Sequence, residues 1–172
     1  MILTTPSQRR ELLARSHMIA VVGASANPLR PSYFVFRYLR THGFDVRPVN
    51  PAYAEVDGVP SFPDLAAYKA KLGSPDIVDV FRKPSETPQI ARDAVAVGAK
   101  AIWFQYGVIN PEAIRIADDA GLDVVFDRCM KVEHGRFDGG LSVSGMNSGL
   151  ITAKRRPVAS SPIEDTTELQ ST

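Results

Sequence analysis

The chain has 172 residues, 44% of them hydrophobic and 23% charged, with a formal net charge of +1. That length favours one domain with a substantial core, and the near-neutral balance gives no electrostatic reason to expect nucleic acid or an anionic membrane as partner. No apolar run approaches the roughly 20 residues that span a bilayer, and Cys129 is the only cysteine, so a cytoplasmic protein without an internal disulfide is expected.

Apolar runs and helical patterns alternate from residue 18 onward. Residues 18–22 read as the first strand, ending in Gly23, and residues 32–41 as a helix with Tyr33, Phe36 and Leu39 on one face. Gly43 stands where a left-handed cap would end that helix. Residues 44–49 form the second strand, closed by Asn50-Pro51, and a turn at Asp57-Gly58 leads to a short helix over residues 64–72. The third strand spans residues 76–81, and Ser85 is the expected N-cap of a helix running to Val97. Residues 100–105 form the fourth strand. Asn110-Pro111 then supplies an N-cap and first-turn proline, Gly121 ends the helix, and residues 122–126 form the fifth strand.

Helical segments between successive strands imply parallel pairing. Unbroken apolar strands, rather than alternating ones, imply that both sheet faces are covered. The expectation is an α/β fold: a doubly wound, Rossmann-like five-stranded parallel sheet with helices on both faces. It should occupy residues 1–137, with residues 138–172 a C-terminal arm and disordered tail. Through that arm the chain is expected to meet a second copy or a partner subunit.

Ligands of such sheets bind beyond the carboxyl ends of the strands. Those ends place Gly23–Arg30, Val49–Pro51, Phe81–Pro84, Gln105–Val108 and residues 127–131 around one crevice. The strand–turn–helix unit after Val22 presents backbone N–H groups and a positive helix end to a phosphate. Arg30, Arg82 and Lys83 add three cations to the same rim. The turn departs from the Gly-x-Gly-x-x-Gly dinucleotide fingerprint, because Ser25 and Pro28 stand where glycines would be needed. The second strand also ends without the acid that holds a dinucleotide ribose. In residues 127–134, Cys129 and His134 are five apart and fall on different helix faces. That segment therefore reads as local packing, with Asp127 and Arg128 bonding backbone, rather than as a nucleophile and base. One cysteine and one histidine also make no closed zinc site.

Taken in order, Val22-Gly23-Ala24-Ser25-Ala26-Asn27-Pro28 with Arg30-Pro31-Ser32-Tyr33, Pro48-Val49-Asn50-Pro51, Val78-Asp79-Val80-Phe81-Arg82-Lys83-Pro84, Trp103-Phe104-Gln105, Gly107-Val108 and Asp127-Arg128-Cys129-Met130-Lys131 resemble the small stand-alone CoA-binding proteins. These in turn resemble the CoA-binding domain of the succinyl-CoA synthetase α subunit. The resemblance covers about residues 15–137. It implies that Gly23, Ala24, Ser25 and Asn27 line the loop beneath the CoA phosphates, with Arg30 and Ser32 beside it. Val49, Asn50 and Pro51 would border the adenosine, Phe81, Arg82 and Lys83 the opposite lip, and Gln105 with Gly107 the wall near the pantetheine. The implied ligand is CoA or an acyl-CoA, bound without a complete catalytic apparatus. Rival readings are an NAD(P)-binding oxidoreductase and a regulatory subunit of an acyl-CoA enzyme.

Overall fold

In the computed structural model, which describes residues 1–138, a first helix α1 (Pro6–Ala14) leads to β1 (Met18–Val22), α2 (Pro31–Thr41) and β2 (Asp45–Val49). A hairpin of β3 (Glu55–Val56) and β4 (Val59–Pro60) precedes α3 (Leu65–Leu72) and β5 (Ile77–Val80). A 3-10 turn over Pro84–Glu86 opens α4 (Thr87–Ala96). Then follow β6 (Ala101–Phe104), α5 (Pro111–Asp119), β7 (Asp123–Val125) and α6 (Met130–Phe137). The expected arm and tail lie outside the described residues.

Five strands form one sheet in the order β2-β1-β5-β6-β7, all neighbours parallel. The doubly wound fold is therefore as expected. Alternate strand residues divide the core. On one face Ile19, Val21, Ile77, Trp103 and Val125 pack under Leu12 and Leu13 of α1, Phe36 and Leu39 of α2, and Met130. On the other, Val78, Val80, Ile102, Phe104 and Val124 meet Leu65 and Tyr68 of α3, Ala91 and Ala94 of α4, and Ala113 and Ala117 of α5. Both faces are covered by helices, which is why the strands read as unbroken apolar runs. Strand order reverses at β1: its neighbours are β2, next in the chain, and β5, a later strand. The crevice between the carboxyl ends of β1 and β5 is thus the place such a sheet offers a ligand.

Two features depart from the sequence reading. Ser85 does not cap a long helix; it lies inside the 3-10 turn, and α4 starts at Thr87, whose hydroxyl donates to the Pro84 carbonyl at 2.7 Å. Pro84 fixes φ at the first position of the 3-10 turn, and Pro88 does the same within the first turn of α4. Helix α1 was not expected, since few of its residues are apolar. It is held by a capping box, Thr5 with Gln8, and by an ion-paired cluster. Arg9 Nε donates to Glu133 Oε2 at 2.8 Å, and Arg136 stands 3.3 Å from Glu133 Oε1. All three side chains are buried. Residues before α1 extend the sheet past β7, Leu3 N–H bonding the Val124 carbonyl at 2.8 Å. No helix among the described residues is long and apolar enough to cross a membrane.

Candidate functional site

The site begins where β1 stops. Gly23 adopts φ +84°, and a Cβ there would lie 2.4 Å from the Phe81 carbonyl oxygen and 2.8 Å from Arg82 Cδ. The end of β1 therefore touches the end of β5, and only glycine allows it. Replacing Gly23 by alanine is expected to cost about 2–4 kcal/mol, from left-handed strain plus displacement of the Phe81 backbone. Urea denaturation measures it, and an unshifted midpoint would mean that the two strand ends yield freely.

After Gly23 the chain crosses a loop stiffened by its own side chains. Asn27 N–H donates to Ser25 Oγ at 3.1 Å, and Leu29 N–H to Asn27 Oδ1 at 2.9 Å. Ser32 Oγ accepts the Ser25 N–H at 3.2 Å, fastening the loop to the first turn of α2. Arg30 is the N-cap and contributes no side-chain cap, while Pro31 occupies the first helical position. The positive end of α2 is thus uncovered by any acid of its own first turn. Across the crevice, Asn50 holds the loops together: its Nδ2 donates to the Ala24 carbonyl at 2.8 Å and its Oδ1 accepts the Ala52 N–H at 3.0 Å.

Two adjoining cavities open on this frame and share Gly23 and Asn50. The larger is about 560 Å³, within the usual range for small-molecule sites. Ser25, Arg30, Ser32 and Tyr53 contribute polar groups to its lining, and Val35, Phe81, Val108 and Cys129 apolar ones, with Gln105 and the exposed Tyr106 beside them. The smaller, about 190 Å³, lies between Val49, Pro51, Pro63 and Leu65 with Arg82, Asp64 and Asp93. Arg82 is ion-paired with Glu86, whose carboxyl it holds below the usual carboxylate range.

Behind the larger cavity lies an acid that strand-end reasoning passed over. Asp79 is wholly buried; its Oδ1 accepts Gln105 Nε2–H at 2.7 Å, and its Oδ2 has no partner. Burial pushes its pKa up to about 7, against the opposing bonds from Gln105 and the Val80 backbone. Burial also pushes the Cys129 thiol up, so it rests as thiol rather than thiolate. Nearby, Asp127 Oδ1 accepts the Gly107 N–H at 3.0 Å, and Arg128 donates to the Asp127 carbonyl at 2.7 Å. His134 faces away, bonded to the Tyr38 hydroxyl at 3.1 Å. Asp127 and Arg128 thus bond neighbouring backbone, while Cys129 lines the larger cavity. Among the described residues no group of three or more His, Cys, Asp or Glu is placed to hold a metal.

Of the residues singled out from sequence, Gly23, Ser25, Arg30, Ser32, Asn50, Phe81 and Gln105 line the larger cavity. Gly23, Val49, Asn50, Pro51 and Arg82 line the smaller. Four line neither: Ala24 is in the core, Asn27 caps its own turn, Gly107 gives its N–H to Asp127, and Lys83 is exposed at the start of the 3-10 turn. Pro31, Val35 and Tyr53 also line the larger cavity without having been singled out, while Val108 belongs to the Gln105–Val108 strand end that the sequence placed at the crevice. Tyr33 lines neither cavity and donates its hydroxyl to Asp57 at 2.9 Å.

This fold and crevice belong to a recognisable class. Residues 17–135 match the CoA binding domain family, and the chain is a member of it. It is 38% identical over 125 residues to the Uncharacterized protein YneT of Bacillus subtilis (strain 168), a match spanning 73% of this chain and 90% of that protein. A hypothetical protein from Pyrococcus horikoshii OT3 has the same fold, with a TM-score of 0.73 at 44% identity over 77% of this chain and 92% of that one. The dinucleotide-forming acetyl-coenzyme A synthetase 1 of Ca. Korarchaeum cryptofilum, in its apo form, matches with a TM-score of 0.53 at 27% identity over 62% of this chain. That match takes in 25% of the synthetase chain.

Proposed function

We propose that the protein binds CoA or an acyl-CoA as a self-standing ligand module and lacks a complete catalytic apparatus of its own. The observation that carries this reading is the pair of cavities meeting at Gly23, below the uncovered N-terminus of α2. An elongated ligand with phosphates near its middle fits that arrangement. The adenosine lies against Val49, Asn50 and Pro51, the diphosphate beside Gly23, Ser25 and Arg30, and the pantetheine arm runs toward Gln105 and Cys129. Membership of the CoA binding domain family supports the same assignment. An NAD(P) ligand is disfavoured because β2 ends in Val49-Asn50-Pro51, with no acid to take the ribose hydroxyls. The partner is a small molecule, and the near-neutral charge favours neither nucleic acid nor an anionic membrane.

A thermal-shift panel of CoA, acetyl-CoA, longer acyl-CoAs, NAD and NADP tests the assignment. A ligand at 100 times its dissociation constant stabilises by about 2.7 kcal/mol. Stabilisation by the CoA species alone is the expected result; stabilisation by NAD or NADP alone overturns it. Arg30→Ala is expected to weaken CoA binding about 10- to 100-fold in calorimetry, the worth of one charge-assisted phosphate contact. Arg82→Ala should fall at the lower end of that range, because Arg82 must first leave Glu86. Unchanged dissociation constants would remove these residues from the phosphate site.

A further inference from the structure

Asp79 stands in the middle of an otherwise apolar strand, reaches no solvent and does not itself line either cavity. Its one side-chain partner is Gln105, which is 4% exposed and lines the larger cavity. An ionised carboxylate is an acceptor only, so the amide end that meets Asp79 must then be the NH₂. The Gln105 carbonyl oxygen is then the end of the amide left for the cavity that Gln105 lines.

We propose that Asp79 is a positioning residue that fixes the Gln105 amide with its carbonyl toward the cavity, where it accepts an N–H from a secondary amide of the ligand, and that this preference is lost when Asp79 takes up a proton. The inference rests on the proposed CoA reading, in which the pantetheine arm supplies such amides. A protonated Asp79 is itself a donor and is equally served by the reversed amide, which turns NH₂ groups toward the ligand. The proton state of one buried carboxyl is thereby converted into the hydrogen-bonding sign of the cavity floor. The reversed amide is served only when the proton sits on Oδ1, the oxygen that meets Gln105.

Few other charges act on Asp79. The flanking strands β1 and β6 carry no titratable side chain. From the start of α6 the Cys129 thiol faces it; that thiol is pushed up first by burial and further by the Asp79 charge. On α6, Glu133 is paired with Arg9 and Arg136, and His134 is bonded to Tyr38. On α2, Arg37 and Arg40 are exposed, and Arg40 pairs with Asp57. With its pKa pushed up to about 7 by burial, Asp79 would change state across the neutral range. Because it is already wholly buried, a bound ligand adds little further desolvation, so binding favours the ionised form and is tighter at higher pH.

Calorimetry of CoA with wild type, Asp79→Asn and Gln105→Met at pH 5.5, 7 and 8.5 tests this. The ligand's own phosphate, with a second ionisation near about 6, titrates in every case, so the informative quantity is the ratio of wild-type to variant affinity. The ratio to Asp79→Asn is expected to rise about twofold from pH 5.5 to 8.5, because a neutral side chain at 79 serves the two amide orientations equally and leaves half of the molecules ready to accept the ligand N–H. Gln105→Met should lose about three- to tenfold at pH 8.5, the worth of one hydrogen bond, and about half of that factor at pH 5.5. A ratio to Asp79→Asn that stays constant across pH overturns the inference, as does full affinity in Gln105→Met at pH 8.5. Absence of CoA binding by folded wild type at every pH would instead remove the proposed function, and this inference with it.

Discussion

Replacing Glu133 by alanine is expected to destabilise the protein by about 3–5 kcal/mol, the cost of removing one partner from a buried ionic cluster. Glu133 is 1% exposed and lies between two guanidinium groups, Arg9 at 4% and Arg136 at 6% exposed. Removing the carboxylate leaves both cations in the interior with no counter-charge. Arg9 retains the Thr4 carbonyl at 2.8 Å, which satisfies one N–H but not the charge. Because Arg9 belongs to α1 and Glu133 to α6, the damage should appear as release of α1 and of the residues before it that extend the sheet. Hydrogen exchange should therefore rise first at Leu3, whose N–H bonds the Val124 carbonyl, and at Val124, whose N–H bonds the Met1 carbonyl. A variant with Arg9→Met, Glu133→Leu and Arg136→Met together should recover most of the loss, since well-packed apolar side chains can replace a buried ionic cluster at little cost. A Glu133→Ala protein within about 1 kcal/mol of wild type, measured by urea denaturation, would show that water reaches the cluster.

That cluster also explains what the sequence could and could not disclose. The strands were legible because burial on both faces writes itself as short apolar runs, and Gly43, Gly73 and Gly121 punctuate the helices with positive φ. Helix α1 was not, because Pro-Ser-Gln-Arg-Arg-Glu carries no apolar stripe. Arg9 is buried only because Glu133 arrives 124 residues later. The capping box formed by Thr5 and Gln8 was the local signal available for that helix. The same distinction runs through the site. Residues at strand ends, such as Gly23, Phe81 and Gln105, could be placed because parallel-sheet topology alone puts them at the crevice. Tyr53 and Val35 could not, since one comes from the loop between β2 and β3 and the other from the second turn of α2. Asn27 and Gly107 sit at strand-end positions yet spend their polar groups on neighbouring backbone and side chains. Position predicted who is near the crevice, and hydrogen-bond accounting decided who remains free to bind.

Asp79 is where the two levels meet, and its effect on stability should be as large as its expected effect on binding is subtle. Its folded pKa is raised from an ordinary 3.8 to about 7 by burial, so the folded state favours the neutral acid. Below about pH 4 both folded and unfolded chains hold the proton, and Asp79 imposes no ionisation penalty on folding. As pH rises toward 7 the unfolded chain gives up the proton while the folded chain keeps it, and stability falls throughout that interval. Above the folded pKa the loss is complete, at about 4 kcal/mol for a shift of this size. Asparagine has nearly the same shape and never ionises. Asp79→Asn is therefore expected to be more stable than wild type by about 2–4 kcal/mol at pH 8.5, with the advantage shrinking steadily and vanishing near pH 4. Urea denaturation of both proteins across that range measures the difference directly. A difference that does not depend on pH would mean that Asp79 titrates normally in the folded protein, and that water or a rearranged Gln105 serves its unpartnered oxygen. The predicted slope would instead identify a carboxylate kept beside the cavity at a standing cost to stability, as expected of a group retained for what it does to the ligand rather than to the fold.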